Sequence, residues 1–161
     1  MKVLIIGIVA SGKTTLARRL SIESGIKHYE IDSIVYDDLN NRKRSNEEQQ
    51  EIIKKINKNH SWIIEGTLRS NLDNLLDMAD VIVYIDIPLN VRKRRILSRF
   101  IKQLFRIEKC NYKPTFKMLR MMYVWTNEFE NKKIEFEKRI NKYSGKLVRL
   151  DTVLMVNNYK L

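Results

Sequence analysis

Short runs of consecutive apolar residues alternate along this chain with longer segments in which apolar residues recur every three or four positions. The short runs are rich in Val and Ile, as strands buried on both faces of a sheet are. The longer segments have the spacing of amphipathic helices. The predicted strands cover residues 2–6, 28–31, 61–65, 80–86 and 146–150, and the predicted helices cover about 15–24, 45–57, 89–106 and 115–143. This alternation predicts an α/β fold with three α/β/α layers around a five-stranded parallel sheet.

Local signals sharpen the helix boundaries. Gly25 follows the first helical segment and is a typical helix stop. Ser45, with Glu48 three residues later, has the spacing of a capping box and predicts a helix that ends near Asn57. The polar stretch 37–44 predicts a loop. A buried helix face is predicted from the spacing of Met118, Met121, Met122 and Trp125.

Composition narrows the class of protein. Hydrophobic residues make up 43% and charged residues 31% of the 161 positions, which predicts one globular domain over residues 1–161. No apolar run approaches the ~20 residues of a membrane span, so we expect a cytoplasmic protein with no membrane partner. The lone Cys110 excludes an intrachain disulfide and a cysteine metal cluster. His28 and His60 have no neighbours at ligand spacing, so we expect each to be a structural or surface residue.

Residues 7–14 read Gly-Ile-Val-Ala-Ser-Gly-Lys-Thr and fit the pattern G-x-x-x-x-G-K-[ST] between a predicted strand and a predicted helix. Glycines let the backbone form a nest of N–H groups for phosphate oxygens, and the following helix adds its dipole. Lys13 is expected to reach the β- and γ-phosphates, and the Thr14 hydroxyl to bind Mg²⁺. The pattern predicts a nucleoside triphosphate site formed by Gly7, Ala10, Ser11, Gly12, Lys13, Thr14 and Thr15.

The net charge of +12 favours polyanionic partners, and it concentrates in one helical segment. Its cations are Arg92, Arg95, Arg99, Lys102 and Arg106, and the apolar residues expected to face the core opposite them are Ile96, Leu97, Phe100, Leu104 and Ile107. The spacing of three or four residues predicts one cationic stripe along a helix. Like charges on one stripe repel, with only Glu108 nearby in sequence to offset them. We interpret Arg95 and Arg99 as phosphate-binding residues, with a solvated basic face as the alternative.

Two carboxylates follow predicted strands at the edge where open α/β sheets bind ligands. Glu65 is a candidate for holding Mg²⁺ waters or organising the phosphate site, with a capping or loop role as the alternative. Asp32 is suited to an acceptor or Mg²⁺ role, or to capping the next helix. Arg69 is suited to binding an acceptor phosphate or pairing with a carboxylate. The position of Asp86 close to Pro88 favours a role for this residue in a structural turn.

These motifs resemble those of adenylate kinase and its relatives. In that family a strand ends in Asp-Gly-x-x-Arg, and this chain has Glu65-Gly66-Thr67-Leu68-Arg69. Family members carry two arginines seven and eleven residues after a proline that follows the next strand. Pro88, Arg95 and Arg99 stand at those spacings.

Within this group the chain is more similar to the bacterial DNA topology modulation proteins. The matching features are His28-Tyr29-x-Ile31-Asp32, Trp62-Ile63-Ile64-Glu65-Gly66 and a helix centred on Trp125. The chain departs from the nucleotide kinases in three places. Glu65 replaces their aspartate. No arginine follows Asp32 at the spacing that holds their acceptor phosphate, and the alternatives, Arg42 and Arg44, lie in a loop that does not align. The lid-like segment is short and lacks the zinc-type cysteines that some relatives carry.

The resemblance implies a kinase that transfers the γ-phosphate of MgATP to a nucleotide or small-molecule acceptor. The residues it implicates are Lys13, Arg95 and Arg99 for catalysis, Thr14 and Glu65 for Mg²⁺, and Arg69 and Asp32 for the acceptor. Asp32 is the candidate base if the acceptor is a hydroxyl. The resemblance also implies an acceptor-side insertion at about 32–60 and a lid-like segment at about 100–115.

Two other functions fit the same residues. One is an ATP-binding, DNA-associated regulator with little turnover, which the family likeness and the net charge suggest. The other is a plain NTPase. Because the sequence has no helix-turn-helix, zinc-finger or single-strand-binding signature, nucleic acid is the less favoured partner.

Overall fold

The computed structural model describes residues 1–37, 39–107 and 114–161. In chain order its elements are β1 Lys2–Gly7, α1 Lys13–Ser24, β2 His28–Glu30, α2 Ile31–Val35, β3 Tyr36–Asp37, β4 Arg42–Lys43, α3 Asn46–Asn57, β5 Trp62–Gly66, α4 Asn74–Met78, β6 Val81–Ile85, α5 Leu89–Leu104, α6 Phe116–Ile140, β7 Leu147–Leu150 and α7 Val153–Asn158. Short 3-10 helices at Ser70–Leu72 and Asn141–Lys146 precede α4 and β7.

Five strands form one sheet in the order β2-β5-β1-β6-β7. Each strand is parallel to its neighbours. The central strand β1 is fully buried over residues 3–6, as a β-branched run covered on both faces should be. The predicted three-layer α/β/α fold with a five-stranded parallel sheet is confirmed.

Two hydrophobic clusters lie on opposite faces of this sheet. Leu4 and Ile6 belong to the cluster that includes residues of α2, α3 and α4. Val3 and Ile5 pack instead in the cluster with Leu16 and other residues of α1. Successive side chains of a strand point to opposite faces, so one apolar run contributes to both clusters. All parallel strands end at the same edge, and this edge carries the candidate site.

Three predicted helix boundaries are confirmed. Helix α1 begins after Gly12 and ends before Gly25, whose φ angles of 105° and 71° lie in the left-handed region that glycine adopts without strain. Helix α3 starts with a capping box in which the Ser45 side chain accepts from the Glu48 N–H and the Glu48 side chain accepts from the Ser45 N–H. The same helix ends at Asn57.

The predicted loop over residues 37–44 is wrong in part. Strands β3 and β4 form a short antiparallel hairpin, with Tyr36 opposite Lys43. Arg44 holds the base of the hairpin, because its Nη1 donates to the carbonyls of Ser33 and Ile34 at 2.7 and 3.2 Å. A side chain that reaches back ten residues leaves no local pattern in the sequence. Asp38 lies outside the described residues.

Helix α5 buries a different face from the one predicted. Ile96 and Phe100 are buried as expected, but the exposed fractions of the predicted core residues Leu97, Leu104 and Ile107 are 45%, 46% and 75%. Arg92 is only 1% exposed. The cause is the packing of α5 against α6, which supplies a carboxylate for this arginine. The predicted break before α6 falls largely on residues 108–113, outside the described residues. The same six residues form the middle of the predicted lid-like segment, whose first part, residues 100–104, belongs to α5.

Helix α6 also differs from its prediction. Trp125 is 42% exposed, and the three methionines predicted to be core residues are half-buried. The first half of α6 lies along α5, where the Tyr123 hydroxyl donates to the Lys93 carbonyl at 3.0 Å. The second half covers the sheet, and the Phe136 ring lies 5.4 Å from the Tyr84 ring. Among the helices of the described ranges, none is both long and apolar enough to cross a membrane.

Candidate active site

The phosphate loop joins the central strand to α1. A Cβ atom on Gly7 would stand 2.8 Å from the Ile85 carbonyl oxygen and 2.9 Å from the Ser11 Oγ, so only glycine fits there. Ala10 and Gly12 have φ angles of 61° and 105°, and such left-handed turns form anion-binding nests of backbone N–H groups. Among the described residues the buried Ser11 hydroxyl has no hydrogen-bond partner. A tight loop with an unsatisfied buried hydroxyl fits a ligand rich in oxygen atoms.

Lys13 opens α1, and its side chain turns back over the loop. Its Nζ donates to the Ile8 carbonyl at 2.9 Å. Desolvation lowers the pKa of Lys13 from its ordinary 10.5, while the charges of Glu65 and Asp32 act in the opposite direction. An added anion stabilises the charged form of a desolvated ammonium. The position of Lys13 therefore suits a phosphate group.

Thr14 and Glu65 meet beside this lysine. The Thr14 Oγ1 donates to the Glu65 Oε1 at 2.6 Å, and Glu65 is 3% exposed. Burial raises the pKa of Glu65, and the charge of Lys13 and the hydrogen bond from Thr14 only partly offset this effect. A hydroxyl beside a carboxylate is an all-oxygen donor set of the kind that Mg²⁺ prefers, so these two residues fit that ion.

His28 has closer neighbours than the sequence suggested. Strands β2 and β5 pair with Glu30 opposite Glu65, and ligand atoms of His28, Glu30 and Glu65 lie within 4.8 Å of one another. The His28 Nε2 is buried, lies 3.8 Å from the Glu30 Oε1, and has no hydrogen-bond partner within the described ranges. The register between two strands far apart in sequence creates this group, so ligand spacing along the chain did not reveal it.

Arg95 reaches the phosphate loop from α5. Its Nη1 donates to the Ser11 carbonyl at 3.0 Å and to the Ala10 carbonyl at 3.4 Å. Arg99 lies one turn further along the same helix and is exposed. The structure thus brings Arg95 to the loop, and places Arg99 on the same side of α5.

Arg92 does not belong to the predicted cationic stripe. Its Nε donates to the Ile87 carbonyl at 2.8 Å, and its Nη2 forms an ion pair with Glu130 of α6. Buried arginines need such partners because an unpaired buried charge is costly. The prediction of one cationic stripe of five residues is therefore wrong at Arg92, which joins α5 to α6.

Asp32 and Arg69 pair with each other in this structure. The Arg69 Nη2 lies 3.2 Å from the Asp32 Oδ1, and the Arg69 guanidinium lies 5.3 Å from the centre of the Tyr36 ring. The Asp32 side chain is 73% exposed.

Asp86 pairs with Lys133 at 2.7 Å, in line with the structural turn predicted for it. Thr15 is exposed at the start of α1.

A cavity of about 490 Å³ adjoins the start of the phosphate loop. No prediction made from the sequence included this cavity. Its residues are Gly7, Thr67, Leu68, Phe129, Lys132, Glu135, Phe136, Lys138, Arg139 and Lys142. Phe129 and Phe136 stand seven residues apart on α6, and so do Lys132 and Arg139. This heptad spacing was the one signal along the chain that pointed to a shared helix face.

Comparisons with known proteins found similar sequences. The sequence model of the AAA domain family matches residues 3–113. The uncharacterized protein YqaC of Bacillus subtilis (strain 168) is 25% identical over 136 residues, which cover 84% of this chain and 76% of that protein.

Two solved structures have a similar fold. Deoxyadenosine kinase from M. mycoides, solved with the products dCMP and dCDP bound, has a TM-score of 0.59 and 17% identity over 98% of this chain and 93% of its own. Shikimate kinase from Aquifex aeolicus has a TM-score of 0.50 and 17% identity over 94% of this chain and 85% of its own. The sequence match covers more than half of the residues, so the chain belongs to the AAA domain family, and its fold is that of a P-loop kinase.

Proposed function

We propose that this protein is a phosphotransferase that moves the γ-phosphate of MgATP to a nucleotide or small-molecule acceptor. We also propose that residues 1–161 act as one catalytic unit. The observation that carries the proposal is the convergence of Lys13, Glu65 and Arg95 on one phosphate loop. Binding a nucleotide requires the loop, whereas transferring a phosphoryl group also requires cations around it as charge spreads over its oxygens.

In this proposal the triphosphate is held by Lys13 together with loop residues, which are Gly7, Ala10, Ser11, Gly12 and Thr15. Thr14 and Glu65 would hold the metal, because their oxygens already meet at the helix start. When bound, Mg²⁺ would neutralise the negative charge that develops on the phosphate oxygens. Arg95 approaches from α5, and Arg99 extends the same cationic surface.

The acceptor decides whether a base is needed. A phosphate or carboxylate acceptor is already an oxyanion and has no proton to lose. A hydroxyl acceptor must give up a proton, and Asp32 is then the candidate base. Arg69 orients that carboxylate at 3.2 Å.

Calorimetric titration with MgATP tests the nucleotide site. Lys13→Ala should weaken binding at least about tenfold, because hydrogen bonds to charged groups contribute about 1.5–3 kcal/mol. Lys54→Ala is the matched control, since Lys54 lies exposed on α3 and should bind MgATP as the wild type does. Equal affinities of the wild type and Lys13→Ala would remove the phosphate role from Lys13.

Release of ADP, measured across a panel of acceptors, tests the transfer itself. A phosphorylated acceptor supports the kinase, and hydrolysis without any transfer supports a plain NTPase. A DNA-associated regulator would instead bind duplex DNA tightly without transfer. Its log affinity would fall with log salt at a slope near −0.9 per neutralised phosphate.

A further inference from the structure

The cavity beside the phosphate loop has two kinds of wall. Gly7 and Thr67 form the end nearest the loop, and the Thr67 Oγ1 donates to the Gly7 carbonyl at 3.3 Å. Helix α6 forms the opposite wall. A volume of about 490 Å³ lies within the roughly 300–1,000 Å³ of pockets that hold small molecules.

The α6 wall combines aromatic rings with positive charge. The rings of Phe129 and Phe136 meet edge to face with centroids 5.4 Å apart, and the Arg139 guanidinium lies 5.5 Å from the centre of the Phe136 ring. Arg139 also pairs with Asp73 at 3.1 Å. The cations around the cavity are Lys132, Lys138, Arg139 and Lys142, against the single carboxylate of Glu135. Such a wall favours a ligand with a flat or apolar ring and a negative charge.

The arginines on the other side of the loop are already engaged by the protein. Arg42 makes two hydrogen bonds to Glu48, at 2.8 and 2.5 Å. Arg44 donates to backbone carbonyls within its own hairpin. By contrast, no ion pair within the described residues holds Lys132 or Lys142. An anionic ligand therefore finds available charge on the α6 side.

We propose that this cavity binds the phosphoryl acceptor, and that the acceptor is a small ring compound carrying a phosphate or carboxylate group. This inference rests on the proposed kinase function and places the acceptor outside the 32–60 segment. The ring packs against Phe129 and Phe136, and the anionic group lies among the lysines of α6. The reacting oxygen then lies at the end formed by Gly7 and Thr67.

The transfer balances with the substrates named. The acceptor oxygen forms a bond to the γ-phosphorus while the bond from that phosphorus to the β,γ-bridging oxygen breaks. ADP leaves with the electron pair of the broken bond. Asp32 does not line this cavity, so a hydroxyl acceptor bound here releases its proton to water, and an oxyanion acceptor releases none.

Binding is measured first, so that the test does not depend on turnover. Ligand-observed NMR is recorded on the protein loaded with a non-hydrolysable MgATP analogue. One arm offers nucleoside monophosphates as the phosphate source, and the other offers cyclic and aromatic hydroxycarboxylates. We expect compounds of one arm to bind, and the arm that binds identifies the anionic group.

Variants then locate the binding site. Lys132→Ala should raise the acceptor Kd, and the KM in a turnover assay, about tenfold, because one charge-assisted contact is lost. The KM for ATP should stay unchanged. Lys117→Ala is the control, since Lys117 is exposed at the start of α6 and does not line the cavity.

Each alternative result is decisive. An acceptor whose Kd is unchanged in Lys132→Ala and in Lys142→Ala binds elsewhere, which overturns the inference and leaves the kinase intact. If no compound from either arm binds, the inference is overturned as well. In both cases the proposed function is judged by two separate measurements, the Lys13-dependent titration with MgATP and the transfer assay across the acceptor panel, and only a failure of one of these removes it.

Discussion

Two walls of this molecule, one around the β3–β4 hairpin and one around α6, differ in what their cations contact. On the wall formed by α2, the β3–β4 hairpin and α3, Arg42 is bound by Glu48 and Arg44 by backbone carbonyls. On the α6 wall, which here includes the 3-10 helix that follows α6, three lysines line a cavity with one carboxylate. These two arginines hold the hairpin and the start of α3 in place. The contrast teaches that a basic sequence predicts anion binding only where the fold leaves the charge facing a cavity.

The same contrast exists within one helix. Arg92 and Arg95 are three residues apart on α5, yet Arg92 is buried against Glu130 and Arg95 contacts the phosphate loop. One arginine joins two helices, and the other contributes to the candidate active site. Spacing along the helix placed both on one stripe, and the packing of α6 separated them.

The largest effect expected from this comparison is that of Arg95→Ala. Turnover should fall about 100-fold, because a preorganised donor aimed at developing charge contributes that much to the rate. The affinity for ATP should fall less, since the proposed contact strengthens as charge spreads over the transferred group. Steady-state rates at saturating MgATP provide the measurement. Arg94→Ala is the matched control on the exposed side of α5. If turnover fell equally in Arg95→Ala and Arg94→Ala, Arg95 would act only through the general positive charge of the surface.

Glu65→Gln should have the next largest effect. A residue that orients the metal or its waters typically changes activity by about 10- to 100-fold when altered, and we expect a loss near the lower end because glutamine keeps an oxygen acceptor for Thr14. The affinity for the base and sugar of ATP should be unchanged. Glu47→Gln, on the exposed start of α3, is the control. An unchanged rate would return Glu65 to a structural role.

The pH dependence of stability tests the burial of the same carboxyl group. Because burial raises the pKa of Glu65 above its ordinary 4.5, the folded state binds the proton more tightly than the unfolded state does. The free energy of unfolding should therefore fall as the pH rises from about 4.5 through the raised pKa. Denaturant titrations of the ligand-free protein at a series of pH values should show this fall in the wild type and a smaller one in Glu65→Gln. If the free energy of unfolding depended on pH identically in the wild type and in Glu65→Gln, the carboxyl group of Glu65 would be solvated and not buried.

The fold and the phosphate loop could be predicted because their signals lie within short stretches of sequence. A strand, a glycine loop and a helix follow one another over residues 2–24, and the capping box at Ser45 spans four positions. The cavity could not be predicted, because it joins Gly7 and Thr67 to side chains of α6. The burial of Arg92 had no sequence signal either, since its partner Glu130 lies 38 residues away. Contacts across such distances depend on how the layers pack.

Arg42→Ala should have the smallest effect on function, and it tests the first wall directly. The hydrogen bonds from Arg42, followed by the one from the Ser45 N–H, lower the pKa of Glu48 to about 2. This contribution to stability is present above the ordinary pKa of 4.5 and is lost as the pH falls toward 2. In Arg42→Ala the pKa of Glu48 should rise but stay below 4.5, because the Ser45 N–H still donates at 2.8 Å.

Carboxyl NMR titration measures that pKa, and kinetics on the same variant complete the comparison of the two walls. Turnover and the acceptor KM of Arg42→Ala should equal those of the wild type, because the arginine is bound by Glu48 and has no ligand to lose. Lys132→Ala, on the cavity wall, should raise the acceptor KM under the same conditions. An equal rise in both variants would show that the acceptor contacts both walls. The ion pair of Arg42 with Glu48 would then exist only in the ligand-free protein and would be broken when the acceptor binds. The distinction between cations that hold the fold and cations that bind the ligand would be wrong.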